Sequence, residues 1–456
     1  MNSSRAYRRP DDWPLAIAAL FLALAGVYTY LGMWRYDVFR AGVDDAVFTQ
    51  IVNSAFTGFS ATAEGLINHY LVHFSPILYV AFPFVKLLDG ARGLILLQSL
   101  LAAATIFPVW GLAVSRLPKP MAFATTLAAA IYPPLSGQAV GDFHELAFAP
   151  PLAATLVWAI DRRLWRVAIV TAVALALVKE DQFVSLAFVG LVTAAMARRE
   201  PKMRSCGFWI AAIAVIAALL YFVVLRPAIN PHVPYWSLHY YQWWWFPATP
   251  AGFVGPFSPL RAQYLFAILL PLAFLPLASR YMLFAIPGLA EVLLSHEGIT
   301  MVLGTHYSAA WSGYVLCAFV DGTFVLYTRS KLAATGALLA ALAASVWTSV
   351  YFSPINPAFA LYERPNAADR LREKELARIP RNVWVGTSVW ILPHIAMNPH
   401  ATIALDDMDY VVLYRFTESA PWPAGDRAKI AQLMKSGYVR TFDGAGIIVL
   451  ARSHAQ

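Results

Sequence analysis

Long apolar runs dominate the chain, and polar residues gather in short islands between them. A helix rises about 1.5 Å per residue, so about 20 apolar residues cross a hydrocarbon core. Runs near that length recur from Trp13 to Tyr351 and predict about eleven spans. They fall at 13–34, 92–115, 120–138, 146–160, 165–180, 182–198, 207–226, 261–278, 281–296, 308–328 and 331–352. The run "HFSPILYVAFPFVKLL", 73–88, is apolar but short, which suits a helix lying at the membrane interface. After Ser353 the pattern changes. "NVWVGTSVWILP", "ATIAL", "DYVVLYRF" and "AGIIVLAR" read as short strands, and "DRAKIAQLMKSGY" as an amphipathic helix with Ile430, Leu433 and Met434 on one face. The expected fold class is an all-α polytopic membrane protein over 1–352, with a small extramembrane α/β domain over 353–456.

Composition removes the soluble alternatives. The chain is 59% hydrophobic and 13% charged, with a mean hydropathy of +0.57, far more apolar than an ordinary soluble domain. A first run that is long, lacks a small-residue cleavage site and continues into Trp34, Arg35 and Tyr36 reads as an anchor, not a signal peptide. The net charge of +8 then reports orientation instead of a nucleic-acid partner. With Arg5, Arg8 and Arg9 in the cytoplasm, the basic clusters at 116–119, 162–166 and 198–204 fall on the same side. The outer side receives the loops 35–91, 139–145 and 227–260 together with the C-terminal domain, and all ten histidines. Cys206 and Cys317 lie far apart at or within spans and suggest neither a disulfide framework nor a metal motif.

Four polar islands on that outer side hold residue types able to do chemistry. In "GVDDAVFTQ", Asp44 can take a proton from an acceptor hydroxyl or bind a divalent cation such as Mg or Mn; it can equally cap the helix that follows. In "GDFHELAFAPP", Asp142, His144 and Glu145 are hemmed by Phe143, Leu146, Phe148 and two prolines. Apolar walls shift the protonation of such groups, and shifted groups transfer protons or bind ions. "VKEDQF" sets Lys179, Glu180 and Asp181 about 100° apart around a helix, so at least one faces the bundle interior. There Lys179 can meet an anionic group such as a phosphate, with the acids positioning it. His73 in "HFSP", Arg226, His232 and Arg261 are interfacial anchors or ligands; Glu291 and His306 of "GTHYS" join the same outer cavity. The aromatic cluster 235–246 can stack on a sugar ring or cover a lipid tail.

Taken in order, "VDDAVFTQ", "HFSPIL", "GDFHELAFAPP", "VKEDQF", "ILPHIA" and "DYVVLYR" resemble the motifs of the membrane family known as domain of unknown function 2079. The resemblance covers nearly the whole chain. The first motif departs from the usual pattern at Asp45 and Thr49, leaving Asp44 and Gln50 as the matching positions. That family in turn resembles the GT-C superfamily, membrane glycosyltransferases that use polyprenyl-phosphate sugars. The resemblance implies Asp44 as general base or metal ligand, and Asp142 with Glu145 in catalysis, acceptor binding or metal binding. It implies a polyprenyl-phosphate-sugar donor and an envelope acceptor at the outer face of the cytoplasmic membrane, with Gln50, His73, His144, Lys179, Glu180, Asp181 and His306 about the substrates. Two other classes compete: a transporter or flippase relaying protons through Asp142, His144, Glu180 and Asp181, and a non-catalytic scaffold. Transporters place such groups near the bilayer midplane and often show internal repeats, and none stands out here.

Overall fold

The structure is a computed structural model that describes residues 15–235, 240–241, 254–352, 363–416 and 421–453. Five helical segments among these are long and apolar enough to cross a membrane: Leu15–Asp37, Ala91–Val114, Pro201–Ile229, His306–Arg329 and Lys331–Val350. The helices of this part are α1 (Leu15–Asp37), α2 (Val43–Asn53), α3 (Phe82–Leu87), α4 (Ala91–Ala104), α5 (Ile106–Val114), α6 (Lys119–Ala130), α7 (Pro133–Val140) and α8 (Ala149–Asp161). There follow α9 (Trp165–Ala176), α10 (Asp181–Met196), α11 (Pro201–Leu219), α12 (Arg226–Ile229), α13 (Pro259–Leu269), α14 (Ile286–Leu294), α15 (Ala309–Arg329) and α16 (Lys331–Phe352). Several expected spans are broken where proline removes a backbone donor and clashes with the preceding turn. The run 120–138 splits into α6 and α7 ahead of Pro133 and Pro134. The run 261–278 gives way after α13 to short 3₁₀ turns bearing Pro271 and Pro276, separated by left-handed Ala273 and Phe274. The run 281–296 is a 3₁₀ turn followed by α14, with Pro287 in its first turn. Pro76–Leu87 is helical but short, as its length led one to expect.

Helix α15 forms the centre. It is buried on every side from Ala309 to Thr323, with Trp311, Tyr314 and Phe319 fully enclosed, the pattern of a helix surrounded by other helices. Leu22, Val170, Leu191, Val223 and Leu339 instead face outward from the bundle, as apolar side chains do where the solvent is lipid. Helices α10 and α11 approach so closely at Gly190 and Gly207 that a Cβ on either would stand 2.5 Å from backbone atoms of the other, the small-residue contact common between membrane helices.

The C-terminal part is a five-stranded mixed sheet of β1 (Val385–Thr387), β2 (Ala401–Thr402), β3 (Tyr410–Tyr414), β4 (Tyr438–Gly444) and β5 (Ile447–Arg452), in the order β2-β1-β3-β5-β4. Pairs β1/β2 and β1/β3 are parallel; β3/β5 and β4/β5 are antiparallel. "NVWVGTSVWILP" is not one strand: β1 ends at Thr387 and a short helix, Leu392–Ile395, follows with Pro393 in its first turn. Helix Ala367–Leu376, capped by Asn366 and Asp369, and strand β4 were not expected from the sequence.

This domain is fastened to the loop after α1. Phe39, fully buried and left-handed at φ 59°, packs into the domain core with Val385, Val412 and Val449. His394 stacks between Phe39 and Tyr36 at centroid distances of 3.9 and 4.1 Å, and its Nδ1 meets Glu373 at 2.6 Å. Gln50, expected at the substrate, lies at this junction. Its Nε2 donates to the carbonyls of Ala401 at 2.8 Å and Asn398 at 3.3 Å, and its Oε1 accepts from Thr62 N–H at 3.0 Å. Gln50→Leu leaves those buried groups unpaired, a loss of about 1–3 kcal/mol. Thermal unfolding in detergent should fall accordingly while KM for any substrate stays put; a changed KM at unchanged stability would return Gln50 to the binding site.

Candidate active site

The first and second loops meet in a buried knot of charge. Arg35, at the end of α1, reaches Asp45 at 3.6 Å and is hydrogen bonded to Asp142. Asp142 also accepts from Gly42 N–H at 2.9 Å, and Asp45 from Phe143 N–H at 2.8 Å. A Cβ at Gly42 would fall 2.1 Å from Asp142 Oδ2, so glycine is required for this approach. Burial first, then Asp142, pushes the Asp45 carboxyl well above its usual range, with Arg35 opposing. Asp142, expected as a catalytic group, is hydrogen bonded to Arg35 and Gly42 and is not among the residues that line the cavity described next.

The knot sets the start of α2, whose N-cap is Gly42 with no side-chain capping bond. Asp44 therefore does not cap the helix; it sits in the first turn and opens onto a cavity of about 530 Å³. His73, His144, Lys179, Glu180, Asp181 and His306 line the same space. Seven of the ten sequence candidates thus come together, although they lie on five separate stretches of chain. Glu145 does not reach the lining. It is fully buried behind it, 3.1 Å from His144 Nδ1 and 3.8 Å from Lys179 Nζ.

Asp44 keeps 39% of its side chain accessible, which is the accessibility a ligand needs. Enclosure by the walls, then Asp142 and Glu64, pushes its carboxyl up to about 7, with Lys179 and Arg35 opposing. His306 Nδ1 lies 4.0 Å from Asp44 Oδ2, and the His306 and His144 rings stack at 3.7 Å. Burial, then His306 and Lys179, holds the His144 imidazole well below its ordinary range, so it is neutral at neutral pH. Glu145 is driven upward by burial, against the pull of Lys179. The carboxylates next to Lys179, Asp181 at 3.6 Å and Glu145 at 3.8 Å, stand beyond hydrogen-bond reach. Lys179 thus lines the cavity while ion paired with both.

The sequence did not mark Glu64, Tyr235, Tyr240, Tyr241 and Tyr307 as individual site residues, yet all line the cavity. The first lies in an unremarkable loop, only the general aromatic richness of 235–246 pointed at Tyr235, Tyr240 and Tyr241, and Tyr307 stands beside His306 in "GTHYS"; 236–239 and 242–246 lie outside the described residues. Glu291 lines the cavity too, alongside the apolar Val184, Pro287, Ala290 and Leu294. Val184 and Leu294 are also exposed on the outside of the bundle, so the polar chamber continues into an apolar flank. Arg226 and Arg261 are occupied by backbone carbonyls of Leu71 and Val233, and of Val254, Gly255 and Ser295. Of the two residues expected to hold a divalent cation, Asp44 opens onto the cavity and Asp142 is paired with Arg35. Among the described residues no group of three or more His, Cys, Asp or Glu side chains is arranged to hold a metal.

A broken helical bundle, a carboxylate early in the loop after the first helix and a sheet domain on that same loop define a membrane protein of GT-C-like fold. The chain is similar to ArnT from Cupriavidus metallidurans bound to undecaprenyl phosphate, at 12% identity and a TM-score of 0.60, over 96% of this chain and 98% of that one. The apo state of that protein gives 13% identity and 0.59 over the same shares. An Archaeoglobus fulgidus oligosaccharyltransferase tethered with an acceptor peptide gives 12% and 0.43, over 95% and 74%. At such identities the ArnT likeness is one of fold. The chain itself belongs to the predicted membrane protein family DUF2079, whose model matches residues 35–422. No curated protein matches its sequence.

Proposed function

We propose that the protein is a membrane glycosyltransferase that moves a sugar from a polyprenyl-phosphate-sugar donor to an envelope acceptor at the outer face of the cytoplasmic membrane. The observation that carries this reading is a single cavity that presents an accessible carboxylate, Asp44, and the Lys179 ammonium beside an apolar flank. A lipid-phosphate sugar has a good leaving group already. The protein must align the acceptor hydroxyl, remove its proton and stabilise charge on the departing phosphate. Asp44 takes the proton and Lys179 faces the phosphate, while the tyrosines supply ring faces and hydroxyls for a sugar. The isoprenoid tail lies along the apolar side by Val184 and Leu294. No step is routed through a cation.

Comparison of envelope glycans and glycolipids from cells with and without the protein tests this directly. One glycan or glycolipid should lose a sugar without the protein, and the corresponding polyprenyl-phosphate sugar should accumulate. An identical product set in the two strains would sink the reading.

A further inference from the structure

The mechanism above gives a role to Asp44 and Lys179 but leaves unused the best-ordered polar pair in the cavity. His73 Nδ1 stands 2.8 Å from Glu180 Oε1. Glu180 is itself fixed by Tyr235 Oη–H, donating at 2.8 Å to the same oxygen, and by Phe74 N–H, donating at 2.8 Å to the other. Only 2% of the Glu180 side chain is accessible. A carboxylate holding three donors is an acceptor at each, so the His73 ring carries its hydrogen on Nδ1 and turns Nε2 to the cavity it lines. This is the geometry of an imidazole oriented by a second residue for work at its other nitrogen. The groups around it are Glu180, Lys179, His69 at a ring distance of 5.8 Å and His144 at 6.3 Å. His69 is occupied by Glu64 and Ser75, each at 3.1 Å.

We infer that His73 is the general acid of the transfer, with Glu180 as its positioning residue. The inference rests on the glycosyltransferase reading. The acceptor oxygen forms its bond to the anomeric carbon as the bond from that carbon to the phosphate oxygen breaks. The electron pair of the broken bond stays on the phosphate oxygen, which receives the proton from His73 Nε2. The acceptor proton goes to Asp44. Burial and Lys179 hold the free His73 imidazole below its ordinary range, so it becomes the imidazolium as the anionic phosphate binds beside it; phosphate monoesters have a second pKa near 6, which matches the transfer. Lys179 neutralises charge beside it. Both groups then exchange protons with water, and the site is reset.

Undecaprenyl phosphate, the lipid product expected of such a donor, is the probe. Its binding to the full chain in nanodiscs is measured near neutral pH by calorimetry in two buffers of different ionisation enthalpy, which gives the protons taken up. His73→Asn keeps a donor where Nδ1 stood and removes Nε2; its thermal unfolding should match wild type. Wild-type binding should take up about one proton more than binding to His73→Asn, and Glu180→Gln should lie between them. Equal affinity and equal uptake in wild type and His73→Asn would overturn the acid assignment alone. A wild-type protein that does not bind the lipid at all would overturn the polyprenyl-phosphate reading and this inference with it.

Discussion

Asp44→Asn is expected to lower sugar transfer by about 10²–10⁴-fold, the usual contribution of a general base, while the purified variant unfolds at the wild-type temperature. The change is nearly isosteric and removes only the ability to accept a proton. No helix cap is lost, because Gly42 occupies the cap position, and the Arg35–Asp45–Asp142 knot beneath is untouched. The pH profile gives an independent reading. Burial, with Asp142 and Glu64, places the Asp44 carboxyl at about 7. A base works ionised, so kcat/KM should fall tenfold per unit as pH drops below about 7, while the opposite limb, at higher pH, belongs to His73, which acts protonated. In the asparagine variant the acid-side limb should vanish, and a low residual rate should keep only the limb set by His73. Full activity in Asp44→Asn, or a wild-type limb set two units lower, would remove Asp44 as the base.

Why the cavity was visible in the sequence while some of its supposed members were not has a local answer. Asp44, His73, His144, Lys179 and His306 stand in polar islands at helix ends, and one-sided loops bring helix ends of the same side together. A loop position cannot reveal a partner that arrives from far along the chain. Asp142 looked like a free acid because Arg35, 107 residues earlier, was read as part of an anchor. Gln50 looked like a substrate contact because the carbonyls it binds lie about 350 residues later. Glu64 had neither period nor motif. Continuous apolar runs likewise overstate helix length: they show where the solvent is lipid, but Pro133, Pro271 and Pro287 decide where the backbone breaks.

At the far end of α8 from the cavity, Arg116→Met is expected to cost about 3–5 kcal/mol of stability, the penalty for breaking a buried ion pair from one side. Arg116 follows α5 and is ion paired with both Asp161, at the end of α8, and Asp321 in α15. All three side chains are nearly inaccessible, at 6%, 6% and 13%. Tyr281 Oη–H donates to Asp161 and Ser279 Oγ–H to Asp321, each at 2.7 Å, so the 3₁₀ turn ahead of α14 joins the network. Removing the guanidinium leaves two carboxylates with hydroxyl donors but no counter-charge. Adding Asp161→Asn and Asp321→Asn to Arg116→Met should recover most of the loss, because uncompensated charge and not lost packing is what destabilises. Thermal unfolding in detergent separates the cases. A triple variant as unstable as the sum of its single changes would mean that the three residues act independently. A stable Arg116→Met would mean that the acids bury no charge, and that the helices converge here by packing on α15 alone.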